Sequence, residues 1–131
     1  MCSSDLFAIA AAEILLAHGI PVAYSRTDVP TQMASYEVVM RGAAMGVVIT
    51  ASHNPWMDNG FKVKSPTGAA AGPEMLKVIE AAIAQNAGRA IERMPFAEAE
   101  AAGLVERLFL CARPRRDHAD ALFQRLQRVT E

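Results

Sequence analysis

The sequence predicts a helix-rich α/β domain, and three observations carry that expectation. Val47-Val48-Ile49 is a short β-branched run, and beyond the turn dipeptides Asn54-Pro55 and Asn59-Gly60 the stretch Phe61-Lys62-Val63-Lys64 alternates apolar and basic residues as a half-buried strand does. Flanking stretches carry apolar residues at the helical period, opened by Ser or Pro and closed by Gly. Finally, the 131 residues are one domain's worth, and their 52% hydrophobic share owes much to alanine while only 6% are aromatic, which predicts a modest core volume.

Taken in order, Ser3 or Ser4 can cap a first helix in which Phe7, Ala10, Ile14 and Ala17 follow the helical period and Gly19 supplies the stop. His18 sits at the negative end of that helix's dipole, an ordinary structural place for a cation. Ile20-Pro21-Val22-Ala23-Tyr24 reads as a short buried strand, with Pro21 near its start where a missing N–H is tolerated. Pro30-Thr31 opens a second helix with Met33, Tyr36, Val39 and Met40 on one side, ending at Arg41-Gly42. The methionines read as core filling.

After the Val47 and Phe61 strands, Ser65-Pro66-Thr67-Gly68 reads as a turn. Pro73 then starts a helix whose face is Met75, Ile79, Ala82 and Ile83, ended by Asn86 and Gly88. Gly68 and Gly72 match no nucleotide-binding spacing. Pro95-Phe96 begins a short Ala/Glu helix stopped by Gly103, and Leu104 to Leu108 reads as extended. Pro114 starts a last helix with Ala119, Leu122, Phe123, Leu126 and Val129 inward. Its arginines, Arg115, Arg116, Arg125 and Arg128, are interspersed with Asp117 and Asp120 as on a solvated face.

A formal net charge of -1 gives no reason to propose nucleic acid or an acidic membrane as partner. The apolar stretch Leu6 to Leu16 is far below the roughly 20 residues of a membrane span, Asp5 and Glu13 interrupt it, and no Lys or Arg precedes it, so neither a span nor a signal peptide is expected. Cys2 and Cys111 lie far apart in no metal-like spacing and are expected as thiols in a reducing, cytoplasmic setting.

The chemistry concentrates between Gly46 and Lys64. Ser52 and His53 follow the end of the Val47 strand, the place where open α/β sheets bind ligands, and a hydroxyl beside an imidazole there is a candidate for chemistry. Those residue types leave acyl transfer, phosphoryl transfer and a loop that merely caps its own backbone all open. Neighbouring residues of an extended chain point to opposite faces, which argues against His53 as a simple base on Ser52. A serine hydrolase is weakly supported, because there is no Gly-x-Ser-x-Gly elbow and no third triad member.

Thr50-Ala51-Ser52-His53-Asn54-Pro55 followed by Asn59-Gly60-Phe61-Lys62-Val63 resembles the phosphoserine loop of the α-D-phosphohexomutases, the phosphoglucomutases and phosphomannomutases. The resemblance covers the chain as that family's first domain, residues 1–131 as a single unit with the loop at 46–64, and the segment 104–131 leading toward a second domain. It implies a three-layer α/β/α fold with a small mixed sheet. The family's opening Gly-Thr-x-Gly-x-Arg-Gly segment and Gly-x-Asp-x-Arg strand end are not in this sequence, nor is its Asp-Gly-Asp-x-Asp-Arg metal loop. The first central strand is therefore expected to be missing, and unpaired edges on the Ile20 and Val47 strands invite self-association.

The function implied is an intramolecular phosphotransferase, an isomerase of the phosphoglucomutase/phosphomannomutase type in carbohydrate metabolism. It would interconvert hexose 1-phosphate and hexose 6-phosphate through a phosphoserine and a 1,6-bisphosphate. Ser52 would carry the phosphoryl group, Lys62 would be its electrostatic or general-base partner, and His53 a phosphate or proton-transfer partner, with Asn54 and Pro55 holding the turn. Phosphorylated Ser52 would offer one oxygen to Mg²⁺, the implied cofactor, and a glucose 1,6-bisphosphate-type activator would prime the serine. The expected partner is a phosphosugar. The alternative is a non-catalytic domain that keeps the loop without turnover of its own, and the isolated chain is expected to be inactive.

Overall fold

The computed structural model describes residues 3–55 and 57–108. Its elements run α1 (Ser3–Ala17), β1 (Val22–Ser25), α2 (Thr31–Arg41), β2 (Gly46–Thr50), β3 (Gly60–Lys64), α3 (Pro73–Asn86), α4 (Phe96–Ala101) and β4 (Val105–Leu108). Cys2, Cys111 and the expected helix after Pro114, with its arginines, lie outside the described residues.

The four strands form one parallel and one antiparallel ladder, which gives the mixed α/β character expected. β1 pairs with β4 in parallel, Val22 opposite Val105 and Ser25 opposite Leu108. β2 pairs with β3 antiparallel, Gly46 opposite Lys64, Val48 opposite Lys62 and Thr50 opposite Gly60. The backbone groups of β1 thus find partners on β4, 83 residues along the chain, and not on β2.

The main core forms where α1 and α4 meet the parallel ladder. Ala12, Leu16, Phe96 and Ala99 are buried together, with Ile9, Val22, Tyr24, Met94, Leu104 and Val105 packed around them. This corrects the expected inward face of α1: Leu16 is 1% exposed, whereas Phe7 is 54% exposed. Ser-Ser-Asp-Leu-Phe-Ala-Ile-Ala-Ala-Ala-Glu-Ile-Leu-Leu-Ala is apolar on nearly every side, so its periodicity does not choose a face, and the position of α4 does. Ser4 lies within the first turn of the helix and its hydroxyl donates to Asn59 Oδ1 at 2.8 Å. At the other end Gly19, at φ 71°, stops α1 as expected, with the Gly19 and Ile20 amides returning to Leu16 and Leu15 carbonyls. His18 Nδ1 lies 2.8 Å from the Ile14 carbonyl oxygen, in keeping with a structural role at the helix end.

β1 begins at Val22, two residues later than expected, with Ile20 48% exposed in the preceding turn. α2 starts after Pro30 and ends on left-handed Gly42, whose amide returns to the Val38 and Val39 carbonyls. Val38 is buried against β2, where a Cβ on Gly46 would meet Val38 Cγ2. The chain there needs glycine because helix and strand approach closely. Arg41 donates to Glu37 at 2.8 Å and to Glu106 of β4 at 2.7 Å, linking α2 to the parallel ladder.

α3 forms where Pro73 and its periodicity place it, but none of its residues is buried. Met75 and Ile79 are half-buried, while Ala82 and Ile83 of the expected inward face are exposed. Local signals suffice to start and stop this helix; burial of its face depends on another element pressing on it.

Candidate functional site

The loop between β2 and β3 is held at its base by the antiparallel ladder. Thr50 is the last residue of β2 and lies opposite Gly60. The amide of Asn54 donates to the Ala51 carbonyl at 3.0 Å, closing a four-residue turn over Ser52 and His53, and the Asp58 amide donates to the Pro55 carbonyl at 2.9 Å, closing a second. The Ser4 to Asn59 hydrogen bond joins the loop's far end to the first turn of α1.

Ser52 has φ 59°, which makes it the one non-glycine residue with positive φ among the described residues. A side chain in that region costs on the order of 1 kcal/mol, and such strain clusters at functional sites. The Ser52 amide donates to Thr50 Oγ1 at 3.0 Å, and Ser52 Oγ lies 3.4 Å from His53 Nδ1. The left-handed backbone overturns the expectation that Ser52 and His53 point to opposite faces, since that expectation assumed extended chain. At 3.4 Å the contact is a long hydrogen bond, and with the ring in the right tautomer it lets the imidazole exchange a proton with the hydroxyl.

Ser52, His53 and Asn54 are all exposed, as a group must be to meet a soluble substrate. Lys62 is exposed too, and its register opposite Val48 gives it the same sheet face as Val48 and Thr50. Thr50 was not among the residues singled out from sequence. The signal for it was available, since a Thr two residues before a turn residue commonly hydrogen-bonds the backbone there. Asp58 in the same loop is exposed as well.

No group of three or more His, Cys, Asp or Glu side chains that could hold a metal occurs among the described residues. Mg²⁺ demands near-octahedral oxygen coordination, which one phosphoserine oxygen does not supply. The described residues therefore do not fit the ion by themselves. Among the described residues no helix is long and apolar enough to cross a membrane.

The family described as "Phosphoglucomutase/phosphomannomutase, alpha/beta/alpha domain I" matches residues 2–90. Over 83 residues, 60% of this chain and 13% of the relative, the sequence is 46% identical to glucose 1,6-bisphosphate synthase of Mus musculus. It is 39% identical over 84 residues to phosphopentomutase of Homo sapiens, covering 64% of this chain and 14% of that protein. It is 40% identical over 85 residues to phosphoglucosamine mutase of Deinococcus radiodurans, covering 65% of this chain and 19% of that protein. The chain thus spans less than a fifth of the length of these relatives. No solved structure matches it significantly. With the matched span reaching from α1 through α3 and enclosing the Ser52 loop, the chain belongs to the phosphoglucomutase/phosphomannomutase family, as its α/β/α domain I.

Proposed function

We propose that this chain carries the phosphoryl-transfer loop of a phosphosugar mutase, with Ser52 as the residue that holds the phosphoryl group. The observation that carries the reading is Ser52 itself: exposed, left-handed at φ 59°, with its hydroxyl 3.4 Å from His53 Nδ1. The names of the relatives, a bisphosphate synthase and mutases of glucosamine and pentose phosphates, support phosphosugar chemistry. The substrate class proposed is a hexose phosphate, interconverted between its 1- and 6-phosphates.

In the priming step Ser52 Oγ attacks one phosphorus of a hexose 1,6-bisphosphate. The Oγ–P bond forms, the bond from that phosphorus to the sugar oxygen breaks, and the serine proton ends on the released sugar hydroxyl. His53 Nδ1 is within reach to pass that proton. Phosphorylated Ser52 then passes its phosphoryl group to the free hydroxyl of a hexose 1-phosphate, giving the 1,6-bisphosphate, and return of that bisphosphate's other phosphate to Ser52 releases the hexose 6-phosphate. Phosphoserine carries roughly -1.5 to -2 charges at neutral pH, so a nearby cation matters, and Lys62 on the Thr50 face of the ladder is the cation proposed.

The test is to incubate the chain with glucose 1,6-bisphosphate and magnesium and map the modified residue by mass spectrometry. Phosphate is expected on Ser52 and is expected to disappear in Ser52→Ala. Phosphate on Thr50 or Ser65 with none on Ser52 would overturn the assignment. Uptake at Ser52 without conversion of hexose 1-phosphate to hexose 6-phosphate would identify a loop-bearing domain with no turnover of its own.

A further inference from the structure

We infer that Thr50 is a positioning residue for Ser52, fixing the backbone that presents the reactive hydroxyl. The inference rests on Ser52 being the phosphoryl acceptor and adds a second residue to that site. Ser52 occupies the second position of the turn closed by the Asn54 amide on the Ala51 carbonyl, and its φ is 59°. A positive φ at that position is a demand glycine ordinarily meets, and five glycines carry every other positive φ among the described residues. Phosphoryl transfer requires a hydroxyl there, so glycine is unavailable and the conformation needs another support.

Thr50 Oγ1 provides it by accepting the Ser52 amide at 3.0 Å. The anchor is firm because Thr50 ends β2 and lies opposite Gly60 on the ladder, where a Cβ on Gly60 would come within 3.0 Å of the Thr50 carbonyl oxygen. Ser52 is thus tied from its own amide to the end of the strand, two residues back. The consequence is the placement of Oγ beside His53 Nδ1, which an extended Ser52 would not give. Orientation of this kind is where catalysis by positioning gains its rate.

The experiment compares the wild-type chain with Thr50→Val, which keeps the β-branched shape and removes the acceptor, and Thr50→Ser, which restores the acceptor. Two readouts are taken on each: hydrogen exchange of the Ser52 amide by NMR on ¹⁵N-labelled chain, and the rate of phosphate uptake at Ser52 from glucose 1,6-bisphosphate. In Thr50→Val the Ser52 amide is expected to exchange at least about tenfold faster and uptake to fall about tenfold, while Thr50→Ser recovers both to within about threefold. Unchanged exchange in Thr50→Val, or loss that Thr50→Ser does not recover, would overturn the inference. If the wild-type chain takes up no phosphate, the phosphoryl-acceptor reading fails, and the role assigned to Thr50 fails with it even where the amide remains protected. If Thr50→Val does not fold, Thr50→Ala replaces it with the same two readouts and the same expected losses.

Discussion

The carboxylate of Glu13 in α1 accepts the backbone amide of Phe96, the first residue of α4, at 3.1 Å. The same side chain takes two hydrogen bonds from Arg93, at 3.1 and 2.5 Å, and the Glu13 carbonyl accepts the Met94 amide at 3.1 Å. α4 has Pro95 at its N-cap, which offers no side-chain cap, so an acid from another helix stands in for one. This joins α1 to α4 beside the buried cluster of Ala12, Leu16, Phe96 and Ala99.

Glu13→Ala is expected to destabilise the domain by about 2 kcal/mol, because it leaves the amide of a buried residue without its acceptor. Arg93→Ala should lose less than about 1 kcal/mol, since Arg93 is half exposed and its ion pair is screened. Urea unfolding of both variants measures the difference. Equal losses for the two would show that the ion pair, and not the amide acceptor, is what matters.

Gly68 sits at φ 78° with its Cα side against α2, where a Cβ would lie 2.7 Å from the Ser35 carbonyl oxygen and 3.0 Å from Val39 Cγ2. Gly68→Ala therefore meets both an unfavourable φ and a backbone atom that cannot swing aside. A loss of more than about 1 kcal/mol is expected. Gly88, at the same φ of 78° with nothing within 4 Å, is the control, and its Ala variant should lose less. Thermal melts of the two variants rank them; a smaller loss at Gly68 would contradict the packing described.

Arg107 of β4 donates to Glu100 at 2.6 and 3.1 Å and lies 4.8 Å over the Phe96 ring. The hydrogen bond from Arg107 holds the Glu100 carboxyl below its ordinary range, against a smaller opposing effect of desolvation. A depressed pKa in the folded chain means that the stabilisation is present above the unfolded carboxylate value, about 4.3, and is lost as pH falls through the folded value. The difference in Tm between wild type and Glu100→Gln should thus be visible at pH 7 and shrink on acidification below about pH 4. At the alkaline end, burial and then Asp5 raise the Tyr24 phenol above its ordinary value. Its stabilisation is complete below about pH 10 and is lost as pH rises through the folded value, a loss that Tyr24→Phe should abolish. Melts across pH check both arms, and a Glu100→Gln difference that grows in acid would refute the sign.

Lys62 is exposed opposite Val48 on the ladder, so Lys62→Ala should leave Tm nearly unchanged. Its removal should slow phosphate uptake at Ser52 by about tenfold, the scale of one charge-assisted contact. Uptake retained within about twofold would withdraw Lys62 from the proposed mechanism.

Elements built from local signals were legible in the sequence. Pro30, Pro73 and Pro95 each stand at a helix start, Gly42 and Gly19 at helix ends, and the Val47 and Phe61 runs are strands facing each other across the Ser52 loop. Two linked motifs were enough to suggest the family, which the match over residues 2–90 establishes. These features depend on residues within a few positions of one another, where backbone φ, missing N–H groups and turn chemistry act directly.

Tertiary structure alone decided the rest. It turned Leu16 inward and Phe7 outward, because α1 is apolar on most sides and only the placement of Phe96 and Ala99 chooses among them. It paired β1 with β4, a choice made by contacts 83 residues apart that no local pattern encodes. It made Glu13, which in sequence only interrupts an apolar run, the cap of a distant helix. Within the site, the sequence supplied Ser52 and His53 as neighbours, while the left-handed φ of Ser52 and its tie to Thr50 brought their reactive atoms to the same side. A one-dimensional pattern specifies which groups are adjacent; the backbone dihedral between them sets whether they can touch.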